Sequence, residues 1–255
     1  MISITNMSRI LYVFKSSFLK LFIIFSFVSL TVLANVMPAL GSVYDDFSGG
    51  NYTLPEGKIS PDGKWQNVYN GGGSSGVGIS GGKHVFFIYP KVSTSLKQTS
   101  ANLVISTSQF SNFNMDVNVK TAEQLRRNDP PNSWETAWIL FRYTDTFHYY
   151  WFELNSGGVE LGKKDCDHCT DSVQGQIFLS TVEHPNLKVG DWSHWKITAV
   201  GNHIRLAING TRVIDFVDHK MSDRLASGSI GLYTEDAYSE FNNLNITEVN
   251  FHHFT

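Results

Sequence analysis

Two glutamates flank a short glycine-containing segment in "FELNSGGVEL" (Phe152–Leu161). If Ser156 and Gly157 form the turn of a β-hairpin, Glu153 lies opposite Glu160 on one face of the sheet. Directly opposed residues have Cβ atoms about 5 Å apart, so two carboxylates there repel each other. The pKa of one of them then rises, as a general acid at neutral pH requires. A turn one residue later would remove this pairing.

Aromatic residues share the predicted face of the two glutamates. Strand alternation places Tyr149 and Trp151 on that face, and it places Trp138 and Arg142 together on the preceding strand. The opposite faces carry Ala137, Ile139, Phe141, Tyr150, Phe152 and Leu154. Because this second set is apolar enough to form the core, the first set is predicted to lie on the solvent-facing, concave side of the sheet.

The solvent-facing residue types match the chemistry of a saccharide. Sugars present CH faces that stack on aromatic rings and hydroxyl groups that carboxylates and guanidinium groups bind. The first interpretation is therefore a carbohydrate-binding domain, in which Trp138, Tyr149 and Trp151 stack against a polysaccharide.

Two further interpretations remain open on the sequence alone. In an enzyme, Glu153 and Glu160 would be the acid and base of a glycoside hydrolase or polysaccharide lyase, assisted by Arg142 or His148. Alternatively, the aromatic residues pack under loops and Arg142 forms a structural ion pair. The domain would then be an adhesion domain without a sugar site.

The segment "KKDCDHCTD" holds the only two cysteines, Cys166 and Cys169. Outside the cell the pair would form a disulfide that closes a tight loop. If reduced, the two thiolates could bind zinc together with His168 and a carboxylate. A thioredoxin-like redox role needs a βαβ context, which the strand pattern does not provide. Export favours the disulfide.

The N-terminal region has the pattern of a secretory signal. Basic residues precede the apolar segment Leu21–Ala34, and no acidic residue occurs before Asp45. We predict a signal peptide over residues 1–41 and one domain over 42–255, secreted or on the cell surface. The alternative is an uncleaved membrane anchor, although a spanning helix needs about 20 apolar residues.

The charge of the predicted mature chain excludes one class of partner. Without residues 1–41 it carries 17 basic and 23 acidic residues, a net charge of −6. The absence of a basic run argues against nucleic-acid binding. We expect a polysaccharide or glycan partner, and membrane contact only if the leader is retained. The sequence does not determine the oligomeric state.

Calcium is a weak cofactor candidate. Asp45 and Asp46 offer hard oxygen ligands of the kind that calcium prefers, but no segment has EF-hand spacing. Solvated surface carboxylates are the simpler interpretation, since most carboxylates are exposed. No other metal or cofactor is predicted.

The chain after residue 42 predicts an all-β fold. A dozen short β-prone runs alternate with turn residues, and Asn209-Gly210 is the residue pair that a type I′ hairpin turn favours. This pattern predicts a two-sheet antiparallel β-sandwich in a single domain. The glycine-rich stretch over residues 70–82 is interpreted as a flexible connection.

Several segments resemble a known superfamily. These segments are "GDWSHWKITAVGNHIRLAINGTRVIDFVD", the closing "FNNLNI", "ILFRYTDTFHYYWFELNSGGVELGKK", and "YDDFSGG" followed by Trp65. They are similar to strands of concanavalin A-like lectin/glucanase jelly rolls. Within that superfamily they resemble LamG-like and 3-keto-disaccharide-hydrolase-type domains. The resemblance spans residues 44–249 and implies a fold without one function, since the superfamily contains lectins, hydrolases, lyases and adhesive modules. The Glu-x-Asp-x-x-Glu motif of laminarinase-type glucanases is not found.

Overall fold

The computed structural model describes residues 41–155, 158–171, 174–183 and 187–250. Its elements in chain order are β1 (Ser42–Asp45), β2 (Tyr52–Thr53), β3 (Trp65–Tyr69), β4 (Ser74–Ser80), β5 (Lys83–Tyr89), β6 (Ala101–Phe110), β7 (Phe113–Gln124), β8 (Ala137–Asp145), β9 (His148–Asn155), β10 (Gly158–Asp165), β11 (Gln176–Glu183), β12 (Ser193–Val200), β13 (His203–Ile208), β14 (Thr211–Val217), a 3-10 turn (Asp223–Leu225), β15 (Gly228–Glu235) and β16 (Ala237–Glu248).

The strands form two antiparallel sheets. The nine-stranded sheet has the order β14-β13-β12-β7-β16-β5-β4-β2, with β1 also paired to β16, and the seven-stranded sheet has the order β11-β10-β9-β8-β15-β6-β3. No helix in the described part of the chain is long and apolar enough to cross a membrane. Apart from Gly41, the predicted signal peptide lies outside the described residues.

The main core lies between the two sheets. Strand β7 contributes Phe113, Met115 and Val117, which alternate with polar residues and are fully buried. Ile139 and Phe152 of the seven-stranded sheet belong to the same hydrophobic cluster. Period-two alternation buries one face of each strand. Because the buried faces of the two antiparallel sheets meet in one core, the predicted all-β, two-sheet sandwich is confirmed.

The hairpins follow the turn chemistry of the sequence. Ile208 pairs with Thr211, and the intervening Asn209 and Gly210 have φ values of 49° and 82°. Positive φ at both positions is the geometry of a type I′ turn.

The prediction of a flexible connection over residues 70–82 is wrong. Strand β4 lies within it and pairs with both β2 and β5. A Cβ atom added to Gly76 would lie 2.0 Å from the carbonyl oxygen of Tyr52. The glycine is needed for the close approach of β2, so the composition that resembled a linker belongs to a strand instead.

Candidate functional site

The predicted hairpin of the two glutamates is confirmed by the strand register. Asn155 pairs with Gly158 and Glu153 pairs with Glu160, while the turn residues between them lie outside the described residues. The two carboxyl-bearing side chains therefore share one face of the seven-stranded sheet.

That face is the outer one, directed away from the core between the sheets. A second hydrophobic cluster covers it and contains Trp138, Tyr143, Trp151 and Tyr233. A cavity of about 840 Å³ opens over this cluster. Both glutamates line the cavity together with the predicted rings of Trp138, Tyr149 and Trp151.

A glycine seats the central indole of this cluster. Trp151 lies across from Gly162 on the paired strand, and a Cβ atom there would be 2.0 Å from Trp151 Cζ2. The indole Nε1 donates a hydrogen bond of 3.3 Å to Glu160 Oε1. Phe178 packs edge-on against the indole with a centroid distance of 6.0 Å. Gly162 thus leaves room for the Trp151 indole, which donates a hydrogen bond to Glu160.

The predicted rings are much less exposed than the stacking interpretation expects. Trp151 is 1% exposed and Trp138 is 7% exposed, with their centroids 6.0 Å apart. The more exposed rings of the cavity are Trp134, at 43%, and Phe178, at 63%. Neither ring was predicted from the sequence, since Trp134 lies in the segment between β7 and β8 and Phe178 lies on the edge strand β11.

Burial controls the protonation of the facing carboxyl groups. Glu153 is 3% exposed, and burial, with smaller contributions from Glu160 and Glu235, raises its pKa to about 9. Burial also raises the pKa of Glu160, against the opposing effect of the hydrogen bond from Trp151. Glu153 therefore holds its proton at neutral pH. The expected raising of one pKa by the facing glutamate is present, but burial is the larger cause.

Glu235 is a third carboxyl group in this cavity that sequence analysis did not identify. It ends β15, and its Oε1 accepts a hydrogen bond from the hydroxyl group of Tyr233. Burial raises the pKa of Glu235 as well. The "TED" triplet around it resembles a turn. The pairing of β15 with β8 on one side and with β6 on the other, where Glu235 lies opposite Ala101, brings it to the site.

The predicted position of Arg142 on the cavity face is wrong. Leu140 pairs with Gly231 and Tyr143 with Ser229, so β8 contains one extra residue at this point. Arg142 occupies this β-bulge with a φ of 51°, and a bulge reverses the alternation beyond it. Tyr143 takes the cavity face instead. The Arg142 guanidinium donates hydrogen bonds of 3.0 and 2.8 Å to the carbonyl oxygen of Ser111.

His148 also does not line the cavity. It immediately precedes Tyr149 on β9, so strand alternation directs it to the opposite face. It is 4% exposed, its Nδ1 lies 2.9 Å from Asp145 Oδ1 and its Nε2 lies 3.3 Å from Asp167 Oδ1. The expected assistance to the glutamates is therefore not supported by its position.

One amine contributes to the cavity wall. Lys164 Nζ donates a hydrogen bond of 3.1 Å to the carbonyl oxygen of Asp171 and lies 4.8 Å from the ring centroid of Phe147. Burial lowers the pKa of Lys164. All three residues line the cavity. The cavity thus combines aromatic rings, carboxyl groups and an amine.

The cysteine prediction is confirmed by a disulfide between Cys166 and Cys169. The bridge lies directly after β10, in the connection to β11 that also carries the cavity-lining Asp171. Because both sulfur atoms are in the disulfide, the alternative zinc site with two thiolates is not formed in this structure.

The weak calcium candidates are engaged by protein donors. Asp45 accepts hydrogen bonds from Trp65 Nε1, at 2.8 Å, and from the backbone N–H of Phe47, at 2.9 Å. Asp46 accepts bonds from the backbone and hydroxyl group of Ser48. Within the described ranges, no group of three or more His, Cys, Asp or Glu residues is placed to hold a metal ion.

The sandwich with its outer-face cavity defines a concanavalin A-like jelly roll. The family described as "3-keto-alpha-glucoside-1,2-lyase-like domain" matches residues 53–247, and the chain belongs to this family. The predicted superfamily is thereby confirmed. A search of curated proteins finds no match.

Solved structures share this fold at low sequence identity. The carbohydrate-binding module CBM66 from Bacillus subtilis has a TM-score of 0.51 and 15% identity, over 76% of this chain and 99% of that one. A Bacillus subtilis protein of unknown function with a galectin-like fold has a TM-score of 0.51 and 12% identity, over 81% and 98%. The exoplasmic/lumenal domain of VIP36, in a form bound to Ca²⁺ and Man3GlcNAc, has a TM-score of 0.50 and 8% identity, over 79% and 90%.

Proposed function

We propose that this domain binds a saccharide in the cavity on the outer face of the seven-stranded sheet. The observation that carries the proposal is the cavity of about 840 Å³, in which the exposed rings of Trp134 and Phe178 accompany buried carboxyl groups. Its size is in the range of small-molecule sites. The carbohydrate-binding module and the glycan-bound VIP36 domain give this proposal support at the level of the fold.

The cavity offers both kinds of contact that sugars use. Trp134 and Phe178 present apolar surface on which the CH face of a pyranose ring can stack. Glu160 and Gln176 offer polar side-chain groups for hydroxyl groups. Because Trp138 and Trp151 are buried beneath, they act in this proposal as a rigid floor.

The binding proposal is tested by glycan-array screening followed by titration calorimetry with the strongest hit. We expect Trp134→Ala and Phe178→Ala each to lower the affinity by about tenfold. The control is Tyr44→Ala, which removes a ring that is 61% exposed on β1, outside the cavity. Unchanged affinity in both cavity variants would exclude this site.

A second candidate function is cleavage of a sugar substrate. It is favoured by Glu153, which holds its proton at neutral pH while paired opposite Glu160. The family description names a 3-keto-α-glucoside 1,2-lyase. In such an elimination a base removes the proton at C2, beside the C3 carbonyl group. The C1–C2 double bond forms as the C1–O bond breaks, and an acid protonates the departing oxygen.

The two glutamates can divide these steps between them. Glu160 is the more exposed and serves as the base, whereas Glu153 serves as the acid. We expect Glu153→Gln and Glu160→Gln each to lower turnover of a 3-keto-α-glucoside by about 100-fold or more. Mass spectrometry of the unsaturated product gives the measurement, with the exposed Glu183→Gln as control. Full turnover in the Glu153 and Glu160 variants would reject this assignment.

We also propose that the domain works outside the cytoplasm. The signal-like N-terminal sequence and the disulfide both support export. Intact-mass analysis of the native protein should show that the N-terminal residues have been removed. A measured mass that still includes residues 1–41 would favour a retained membrane anchor instead.

A further inference from the structure

The side chain of Arg126 is fully buried just beyond the end of β7, and its guanidinium reaches three separate segments. Its Nε donates to Glu135 Oε1 at 2.6 Å, and its Nη2 donates to Asp236 Oδ2 at 2.6 Å. Its Nη1 donates to the carbonyl oxygen of Gln98 at 3.1 Å and also to that of Ser95. All side-chain atoms of both ion pairs are shielded from solvent.

Each of these three segments contributes to the cavity through a neighbouring residue. Glu135 directly follows Trp134, and Asp236 directly follows Glu235. In the segment between β5 and β6, Gln98 supplies an accepting carbonyl group and directly precedes Thr99. Trp134, Glu235 and Thr99 all line the cavity. One buried cation therefore connects three parts of the cavity wall that are distant in sequence.

The acidic partner directly after β15, Asp236, is itself held in a restricted conformation. Asp236 has a φ of 45°, which is uncommon for a residue other than glycine. Its Oδ1 accepts hydrogen bonds from the hydroxyl group of Ser93 and from the backbone N–H of Ser100, the latter at 2.8 Å. Both donors belong to the segment before β6, so Asp236 links that segment to the arginine.

We propose that Arg126 is a positioning residue that fixes Trp134, Glu235 and Thr99 relative to one another. A planar guanidinium can direct several donors at fixed angles, whereas a lysine ammonium is a compact point charge and cannot reproduce this geometry. The inference deepens the proposed saccharide site and rests on it for its functional consequence. The structural part stands on the hydrogen bonds alone.

Hydrogen exchange followed by mass spectrometry tests the structural part without any ligand. The amides to follow are those of Gln98, Thr136 and Asp236, which donate to Ser95, Trp134 and Ser100. In Arg126→Lys we expect faster exchange in all three segments and unchanged exchange in β12 and β13. Faster exchange next to residue 126 alone would overturn the proposal.

Matched variants separate the positioning role from a loss of charge or of folding. Arg127→Met removes the neighbouring arginine, which is exposed and pairs with Glu123, and should leave all three segments protected. Glu135→Gln removes one acidic partner and should release only the segment around Trp134. Should Arg126→Lys fail to fold, Glu135→Gln decides: release of that segment supports the proposal, and full protection overturns it.

The functional consequence is measured with maltose and methyl α-glucoside as probes. Since stacking on Trp134 is expected to supply about tenfold of the affinity, displacing this ring in Arg126→Lys should lower the affinity by about tenfold, and Arg127→Met should leave it unchanged. If the wild type binds neither sugar, the saccharide proposal fails for these probes while the exchange result still decides the role of Arg126. Equal affinity in wild type and Arg126→Lys, alongside faster exchange, would overturn the functional part alone.

Discussion

Replacing Glu153 by glutamine should stabilise the fold by an amount that grows with pH. Burial raises the pKa of this carboxyl group from its ordinary value of 4.5 to about 9. Between these values the folded state keeps the proton that the unfolded state releases, so rising pH favours unfolding. Glutamine has nearly the same shape as glutamate and does not titrate. The substitution therefore removes the pH-dependent contribution of residue 153 to the free energy of unfolding.

The magnitude follows from the difference between the two pKa values. One pKa unit corresponds to about 1.4 kcal/mol, so the free energy of unfolding of the wild type should fall by about that amount per pH unit relative to the variant. The difference reaches about 3 kcal/mol at pH 7 and about 6 kcal/mol above pH 9. Below about pH 4.5 both states are protonated, and the pH-dependent term vanishes.

Urea unfolding followed by tryptophan fluorescence, at several values between about pH 5 and pH 8.5, measures this difference. The diagnostic quantity is the slope with pH, because any new contact of the glutamine amide adds only a constant offset. Glu183→Gln makes the same substitution at an exposed position of β11. A difference between wild type and Glu153→Gln that stays constant with pH would refute the burial argument.

Two other predictions concern residues that support the cavity wall. Gly162→Ala forces a methyl group against the indole of Trp151 and should lower the free energy of unfolding by about 1–3 kcal/mol in urea titrations. Gly49→Ala, where no atom lies within 4 Å, is the control and should cost much less; equal losses would contradict the packing of the indole. Replacing Cys166 and Cys169 by serine should cost about 2 kcal/mol, as expected for so short a loop, and an unchanged unfolding midpoint would count against any contribution from the disulfide.

Local sequence patterns determined the sandwich and the centre of the site. Alternation in strands such as β7 and turn residues such as Asn209-Gly210 specify short antiparallel strands, because side-chain period and turn conformation are local properties. For the same reason the pairing of Glu153 with Glu160 could be predicted across a single hairpin. The resemblance of several strands to concanavalin A-like proteins supplied the superfamily.

Tertiary structure decided what local periodicity cannot express. The extra residue at Arg142 interrupts the alternation of β8 and brings Tyr143 to the cavity, and nothing in the local pattern of polar and apolar residues marks it. Glu235 reaches the site through the pairing of β15 with β8, which are far apart in the chain. The exposure of Trp134 and the burial of Trp151 depend on what packs above each ring. Pairing and burial between distant segments are set by the folded chain as a whole, so the accessible surface of the cavity emerged only from the structure.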